Sequence, residues 1–566
     1  MTTLNSQYVH SNLALRYLAG VANQIEQTHQ VMEFTINESL DHILRTIVRA
    51  QPEMLAFSCY IWNIEDTLRL AQNLKKVLPS VVIVAGGPEV SYDSVQLLQA
   101  HPSIDMVVRG EGEETFRELL LAWRDGRDGN GIAGLTWRQG DHIIENPDRD
   151  LVKDLNRIPL PYGPAPSIPD SRILYYETSR GCPFNCSYCL SSTIRGVRYF
   201  PLDRVRQEIM ALVIEGVPQI KFVDRSFNCH PKRALELMRF LAELPGETNF
   251  HFEIVADALS NEVLELLASV KPGRFQFEIG VQSINPNTLE KINRRQDLTR
   301  LADNIRALMK RKNIHIHLDL IAGLPEEDYQ SLGESFNWVY DLQPDYLQLG
   351  FLKLLKGTAI REEAPRWDYV YKEYPPYEVL ANRWLSFSEM SRLKIIDDLL
   401  QRYYNSHVFD YTLAYSISRL FEGNAFRFYE KLADYFISQG LDGKPSKRER
   451  LYVIMADFLS QIDPKNSLSY TQLLMFDFVL NNRHLNVPLQ LGRTTIEDQG
   501  ARIKAYLREQ DNLMEKPRGS LKPRIEVFPL DVLALAGIRE PAAPQPWYAV
   551  LFSYGEEGTT VEYIDL

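Results

Sequence analysis

Three of the five cysteines in this chain fall within eight residues, in the segment Ser179-Arg180-Gly181-Cys182-Pro183-Phe184-Asn185-Cys186-Ser187-Tyr188-Cys189. A C-x3-C-x2-C loop can set three thiolates against three irons of a cubane, leaving the fourth iron open to chelate another molecule. A structural zinc site is the competing reading, but zinc knuckles pair C-x2-C units with further Cys or His nearby, and no second pair is present. Three unrelated cysteines are the remaining alternative. A disulfide scaffold would spread its cysteines over the fold and pair them. The segment is therefore read as the ligand loop of a [4Fe–4S] cluster, with Cys182, Cys186 and Cys189 as ligands, in a protein of the reducing cytoplasm.

The 566 residues predict three or four domains, and 45% hydrophobic content suffices for several cores. A balance of 62 basic to 74 acidic residues, net −12, argues against a chain-wide nucleic-acid face. No run of 18 apolar residues is present, so no membrane span is expected, and the N-terminus lacks the basic and apolar regions of a secretory signal.

Up to residue 126, apolar strands alternate with helices: strands at Val31–Ile36, Met54–Ser58, Val81–Ala85 and Met106–Val108, helices at Asn12–Ile25, Leu40–Arg49, Glu65–Val77, Ser94–Gln99 and from Glu113. This is the rhythm of a Rossmann-like doubly wound sheet, which binds ligands outside the carboxyl ends of its strands. The first strand is nearly absent, since Asn5 arrives four residues after Met1. Residues 127–170 read as a linker, proline-rich from Pro159 to Pro169. Residues 171–375 hold a second series, with strands at Ile173–Thr178, Gln219–Val223, Phe250–Val255, Arg274–Ile279, Ile314–Leu320 and Tyr346–Leu349. Six strands separated by helices fit a partial (β/α)6 barrel, whose chemistry sits on the loops after the strands. Residues 376–566 are mostly helical and aromatic-rich, with helices including Leu380–Met390 and Phe426–Ser438 and short strands at Arg524–Val527, Tyr548–Tyr554 and Thr560–Ile564.

The cysteine segment resembles the signature of the radical S-adenosylmethionine (SAM) superfamily, in which the open iron binds SAM and one electron cleaves it to methionine and a 5′-deoxyadenosyl radical. Tyr188 stands at the family's aromatic position, with Phe184 inside the same loop. The match continues at Glu253 in His251-Phe252-Glu253-Ile254, at Gln282-Ser283 in F-E-I-G-V-Q-S, at Asp319 in L-D-L-I-A-G-L-P, and at Leu355 in L-K-L-L-K-G-T. The resemblance implies that Phe184, Tyr188, Glu253, Gln282, Ser283, Asp319 and Leu355 line the SAM site. One departure is that the usual glycine-rich second-strand segment reads Phe222-Val223-Asp224-Arg225-Ser226-Phe227-Asn228. Taken one at a time, these residues are equally strand-end caps and turns.

Gly86-Gly87-Pro88-Glu89 and Gly110-Glu111-Gly112 resemble the N-terminal domain of the B12-binding radical SAM subfamily, in a branch with a C-terminal domain of unknown function. The resemblance implies a cobalamin held by Asn5, Tyr8, Tyr60, Trp62, Gly86, Gly87, Pro88, Glu89, Gly110, Glu111 and Gly112. Glycines at a sheet edge suit close approach of a macrocycle or phosphate; a generic Rossmann-like domain using them for turns is the alternative. A G-x-G-x-x-G fingerprint is missing after the first strand, which disfavours a dinucleotide. The D-x-H-x-x-G motif that supplies histidine to cobalt elsewhere is also missing. Trp62 or Tyr60 could cover the lower corrin face, or plug the sheet. The loop from Asn5 to Asn12 could reach the corrin tail, or Ser11 could equally cap the first helix. Cys59 and Cys229 read as small hydrophobes.

The expected function is therefore methylation of an unactivated carbon of a small molecule, with [4Fe–4S], SAM and cobalamin as cofactors and an electron donor such as flavodoxin or ferredoxin. Non-methylating rearrangement or cyclisation, and a cluster- or cobalamin-binding sensor without turnover, are the alternatives. The sequence assigns no catalytic side chain and no substrate, and a monomer is compatible with it.

Overall fold

The computed structural model describes residues 1–163, 173–513, 523–555 and 558–565, the side chains of 509–513 excepted. Two compact units are present, one of residues 1–332 and 342–387, the other of 333–341 and 388–566.

The first unit opens with a seven-stranded sheet. Its strands are β1 (Thr2–Asn5), β2 (Met32–Thr35), β3 (Met54–Ser58), β4 (Val82–Gly86), β5 (Met106–Val108), β6 (Leu135–Gln139) and β7 (His142–Glu145), in the order β2-β1-β3-β4-β5-β6-β7. The first five are parallel, and β6 and β7 join antiparallel. The nearly absent first strand is corrected: β1 is four residues long, fully buried and paired on both sides. Part of the segment read as a linker forms β6 and β7, while residues 164–172, including most of the proline-rich stretch, lie outside the described residues.

Period-two alternation builds the layers. Leu55 and Phe57 pack with Leu4, Ile43, Ile83 and Val107 on one face of the sheet. Ala56, Val84 and Val108 pack with Val21, Phe116 and Trp137 on the other. The helix Leu13–Gln24 is capped by Asn12, whose Oδ1 accepts from the Leu15 amide at 2.9 Å. Ser11 is not the cap; its hydroxyl donates to the Ile173 carbonyl at 3.1 Å.

Next comes β8 (Ile173–Tyr176), then a hairpin of β9 (Ser179–Cys182) and β10 (Gly196–Tyr199). The strands β11 (Gln219–Phe222), β12 (Asn249–Glu253), β13 (Phe275–Gln282), β14 (His315–Ala322) and β15 (Tyr346–Phe351) complete a six-stranded, all-parallel sheet in the order β15-β14-β13-β12-β11-β8. One set of alternating side chains is fully buried and apolar: Phe250 and Phe252; Phe275, Phe277, Ile279 and Val281; Ile316, Leu318 and Leu320. The other set is polar: His251 and Glu253; Glu278 and Gln282; His317 and Asp319. A parallel sheet with helices on its outer face and polar groups on its inner face is a partial barrel built to hold a ligand.

Short strands β16 (Val370–Tyr371) and β17 (Val379–Ala381) follow β15, so the helix expected from Leu380 starts only at Phe387. Asn382 ends the extended run, its Oδ1 accepting from the Trp384 and Leu385 amides.

The second unit centres on the helix Ser467–Asn481, in which Tyr470 and every residue from Gln472 to Val479 are buried. A helix apolar on every side belongs at a core. The helices Asp410–Phe421, Ala425–Ser438 and Arg448–Ile462 belong to the same unit, with a three-stranded antiparallel sheet of β18 (Arg524–Phe528), β19 (Tyr548–Gly555) and β20 (Gly558–Ile564). Tyr403, Phe428, Tyr429 and Phe436 are fully buried, so these aromatics are core. Among the described residues no helix is long and apolar enough to cross a membrane.

Candidate active site

The cysteine loop hangs between β9 and β10. Gly181, at φ +93°, faces Gly196 so closely that a Cβ would collide with the Gly196 carbonyl; only glycine lets the strands cross there. The base of the hairpin is pinned by Asp224, which accepts from the Thr178 amide (2.8 Å), the Thr178 hydroxyl (2.7 Å) and the Ser179 hydroxyl (2.5 Å). Asp224 is almost fully buried. The departure from the glycine-rich pattern thus has a positioning use, since this aspartate fixes the strand that ends in Cys182.

The three thiols share a cavity of about 250 Å³ with Phe184, Tyr188, Glu253, Gln282 and Asp319. Ser283 and Leu355 do not line it. Ser283 is fully buried and donates to Glu327 at 2.6 Å, while Leu355 lies in a turn closed by its own backbone bonds. Arg225, Glu278, Arg294, Arg295 and Gln296 line the cavity and were not singled out in the sequence. The period-two pattern of F-E-I-G-V-Q puts Glu278 on the same face as Gln282, a signal that could have found it. Asn293-Arg294-Arg295-Gln296 follows a short helix and carries no periodic signal.

Burial disfavours charge throughout this wall. It raises the Glu253 carboxyl, with the Arg225 guanidinium opposing, and raises Asp319, which His317 partly offsets across 2.9 Å. Burial would raise Glu278 too, but the His251 imidazole (3.2 Å) and the Lys221 ammonium (2.9 Å) outweigh it and hold the carboxyl far below the usual range. The Cys182 and Cys186 thiols are also pushed up by burial; the Arg294 guanidinium, 3.9 Å from the Cys186 sulfur, opposes this at Cys186.

The donor set fits a cluster. All five cysteines are free. Among the described residues no three His, Cys, Asp or Glu side chains converge as a single metal ion requires. A cubane instead takes one thiolate at each of three separate corners. For SAM, the fitting observation is the Gln282 amide oxygen, buried on the cavity wall with no hydrogen-bond partner. A ligand hydroxyl or ammonium would satisfy it.

At the N-terminal sheet, the chain order reverses between β1 and β3, which makes the switch-point crevice of an open α/β sheet. Asn5 ends one strand, and Tyr60 and Trp62 follow the other. The two rings stack at 4.4 Å and 5°, and Trp62 donates to the Leu4 carbonyl at 3.2 Å while remaining 43% exposed. That half-exposed flat platform fits a planar macrocycle. Gly87, at φ +115°, packs on Cys59, whose carbonyl would lie 2.5 Å from an added Cβ. Gly86, Pro88, Gly110 and Gly112 lie on the same edge. Tyr8 is exposed on the Asn5–Asn12 loop, but that loop's later half is committed elsewhere: Ile173 donates to the Val9 carbonyl at 2.8 Å, and Tyr175 hydrogen-bonds His10 at 2.7 Å. Asn5 is itself engaged with Glu33 and the His10 carbonyl. The carboxylates of Glu89 and Glu111 are taken by barrel residues. Glu89 accepts from Tyr377 and pairs with Lys356 at 3.2 Å, and Glu111 pairs with Arg198 at 2.5 Å.

The chain matches the B12 binding domain over residues 1–120, the radical SAM superfamily over 176–339 and a protein family of unknown function (DUF4080) over 365–541. An uncharacterised methyltransferase of Pyrococcus horikoshii is 27% identical over 62% of this chain and 78% of its own length. The cobalamin-dependent radical SAM methyltransferase TokK of Streptomyces tokunonensis is 31% identical over 50% of this chain, but only 44% of TokK is covered. The cobalamin-dependent SAM radical enzyme OxsB, solved with aqua-cobalamin and SAM bound, shares the fold at a TM-score of 0.57, with 14% identity over 91% of this chain and 83% of that one. The chain thus carries a B12 binding domain, a radical SAM domain and a DUF4080 domain, in that order.

Proposed function

We propose that this protein is a cobalamin-dependent radical SAM methyltransferase that acts on a small molecule, with Cys182, Cys186 and Cys189 as cluster ligands. The observation that carries the reading is the convergence in one cavity of three thiols from one loop with Glu253, Gln282 and Asp319 from three successive strands. When bound, the cluster and SAM supply a carbon radical and the corrin a transferable methyl group. The chain's share is placement. Arg294 and Gln282 offer a guanidinium and an amide oxygen to the polar ends of SAM, and Tyr188 closes the cavity beside the thiols. Tyr60 and Trp62 floor the corrin crevice. The buried wall keeps water from the reacting carbon. Identity with methyltransferases over the shared domains supports methyl transfer.

The test is anaerobic reduction of reconstituted protein with SAM. Release of 5′-deoxyadenosine and methionine together with S-adenosylhomocysteine is expected. Release of none of them sinks the enzymatic reading, while 5′-deoxyadenosine without S-adenosylhomocysteine turns it to a non-methylating reaction. Replacing the three cysteines by alanine is expected to abolish the cluster's brown absorbance, and retained absorbance would overturn the ligand assignment.

A further inference from the structure

Two arginines stand directly opposite each other on the hairpin that carries the cysteine loop, Arg180 on β9 and Arg198 on β10. Like charges at facing positions destabilise a strand pair, so something must hold them. Glu111 grips Arg198 with both oxygens, at 2.5 and 2.9 Å, and lies 3.8 Å from Arg180. Glu113 pairs with Arg180 at 2.6 Å, and Glu177 at 2.7 Å. The Val152 amide donates to Glu111 at 3.0 Å, and the Arg180 guanidinium lies over the Tyr17 ring at 5.3 Å. Glu113 is buried, and the other four charged side chains are largely shielded, 10–16% exposed.

We propose that this ion cluster is a positioning element that fixes the corrin-binding edge against the iron–sulfur loop, with Glu111 and Arg198 as its central pair. The inference rests on the functional reading above. Glu111 sits in the turn after β5, on the ligand-binding edge of the sheet, and Arg180 lies two residues before Cys182 in one strand. One route from one cofactor platform to the other is therefore this ion cluster and one short strand, and it is the route that ends at a cluster cysteine. A buried ion cluster adds little net stability, because desolvation offsets attraction; what it supplies is one geometry. A methyl group that must pass between SAM and cobalt needs such a geometry, whereas SAM cleavage at the cluster needs only the barrel.

The experiment uses holoprotein loaded with cobalamin and cluster, with Arg198→Gln and, as a second variant, Glu111→Gln. Cobalamin in the cob(II) state and the reduced cluster are both paramagnetic, so their dipolar coupling reads the distance between them. A single sharp coupling is expected in the parent and a weakened, broadened one in each variant at equal cofactor content. In Arg198→Gln, S-adenosylhomocysteine formation is expected to fall by about a hundredfold while 5′-deoxyadenosine release holds. Unchanged coupling in either loaded variant overturns the inference. So does a parallel fall of both products, or loss of both cofactors from both variants, since each marks a general folding role. A parent protein that takes up no cobalamin or no cluster overturns the functional reading instead.

Discussion

At the scale of the residue, Gln282 carries two costs at once. Its φ of +69° lies in the left-handed region, where a non-glycine residue stores about 1–3 kcal/mol of strain. Its amide oxygen is buried without a partner, which costs about 1–3 kcal/mol more. The register shift at Gly280/Gln282 aims the side chain inward, and Gly280, lacking a Cβ, leaves room for its amide. Broken local rules concentrate where a ligand is meant to repair them. Gln282→Gly is therefore expected to keep or raise the thermal midpoint of the ligand-free protein and to weaken SAM binding by about tenfold, the worth of one good hydrogen bond in a dry site. Calorimetric titration of reconstituted protein with SAM measures this, and unchanged affinity would remove Gln282 from the SAM site. None of it could be read from F-E-I-G-V-Q-S alone, where glutamine at the last strand position looks like any polar inward residue. Only the family likeness marked it.

At the scale of elements, the long periodic segments were legible. Leu40–Arg49 and Met54–Ser58 have the bounds expected of them, and all six barrel strands fall where the alternation placed them. What escaped notice was short and lacked period. The strands S-R-G-C and G-V-R-Y of the cluster hairpin look like loop, and their base is held by Asp224, a contact across 45 residues that no local pattern shows. Gly181→Ala is accordingly expected to open the hairpin and lose the brown absorbance while far-ultraviolet circular dichroism stays unchanged, and a full cluster complement in that variant would contradict it. In the second unit, Asp477 of the helix Ser467–Asn481 caps a different helix, Asp410–Phe421, accepting from the Thr412 amide (2.9 Å) and hydroxyl (2.6 Å). Burial lifts its carboxyl to about 7 against those hydrogen bonds. A folded-state value above the unfolded one means the native protein holds the proton more tightly. This group's contribution to stability is then full below about pH 4 and lost as pH rises towards about 7. Asp477→Asn keeps an acceptor and cannot ionise, so it is expected to be more stable than the parent at pH 8 and equal to it near pH 4. Thermal melts across that range decide, and a parallel pH slope in both proteins would refute the assignment.

At the scale of the whole molecule, the two compact units are not contiguous in sequence. A break at residue 375 follows the end of the βα pattern, yet the second compact unit takes in residues 333–341, most of the barrel helix Tyr329–Tyr340. Within that unit Phe336 packs on Phe426 and Tyr429, Tyr340 on Tyr404 and Tyr429, and Asn337 pairs with Asn424 at 3.0 Å. The helix periodicity shows that these residues face inward but not what they face, because the partners lie some 60 to 90 positions later in the chain. Cutting at residue 375 would bare this aromatic face, and exposing Phe336 alone costs about 2–3 kcal/mol. The truncated protein, residues 1–375, is therefore expected to self-associate or precipitate. The same truncation with Phe336→Gln and Tyr340→Gln should run nearer to a monomer on size-exclusion chromatography with light scattering. A monodisperse, monomeric truncation without those substitutions would show that the barrel helix does not depend on the C-terminal unit.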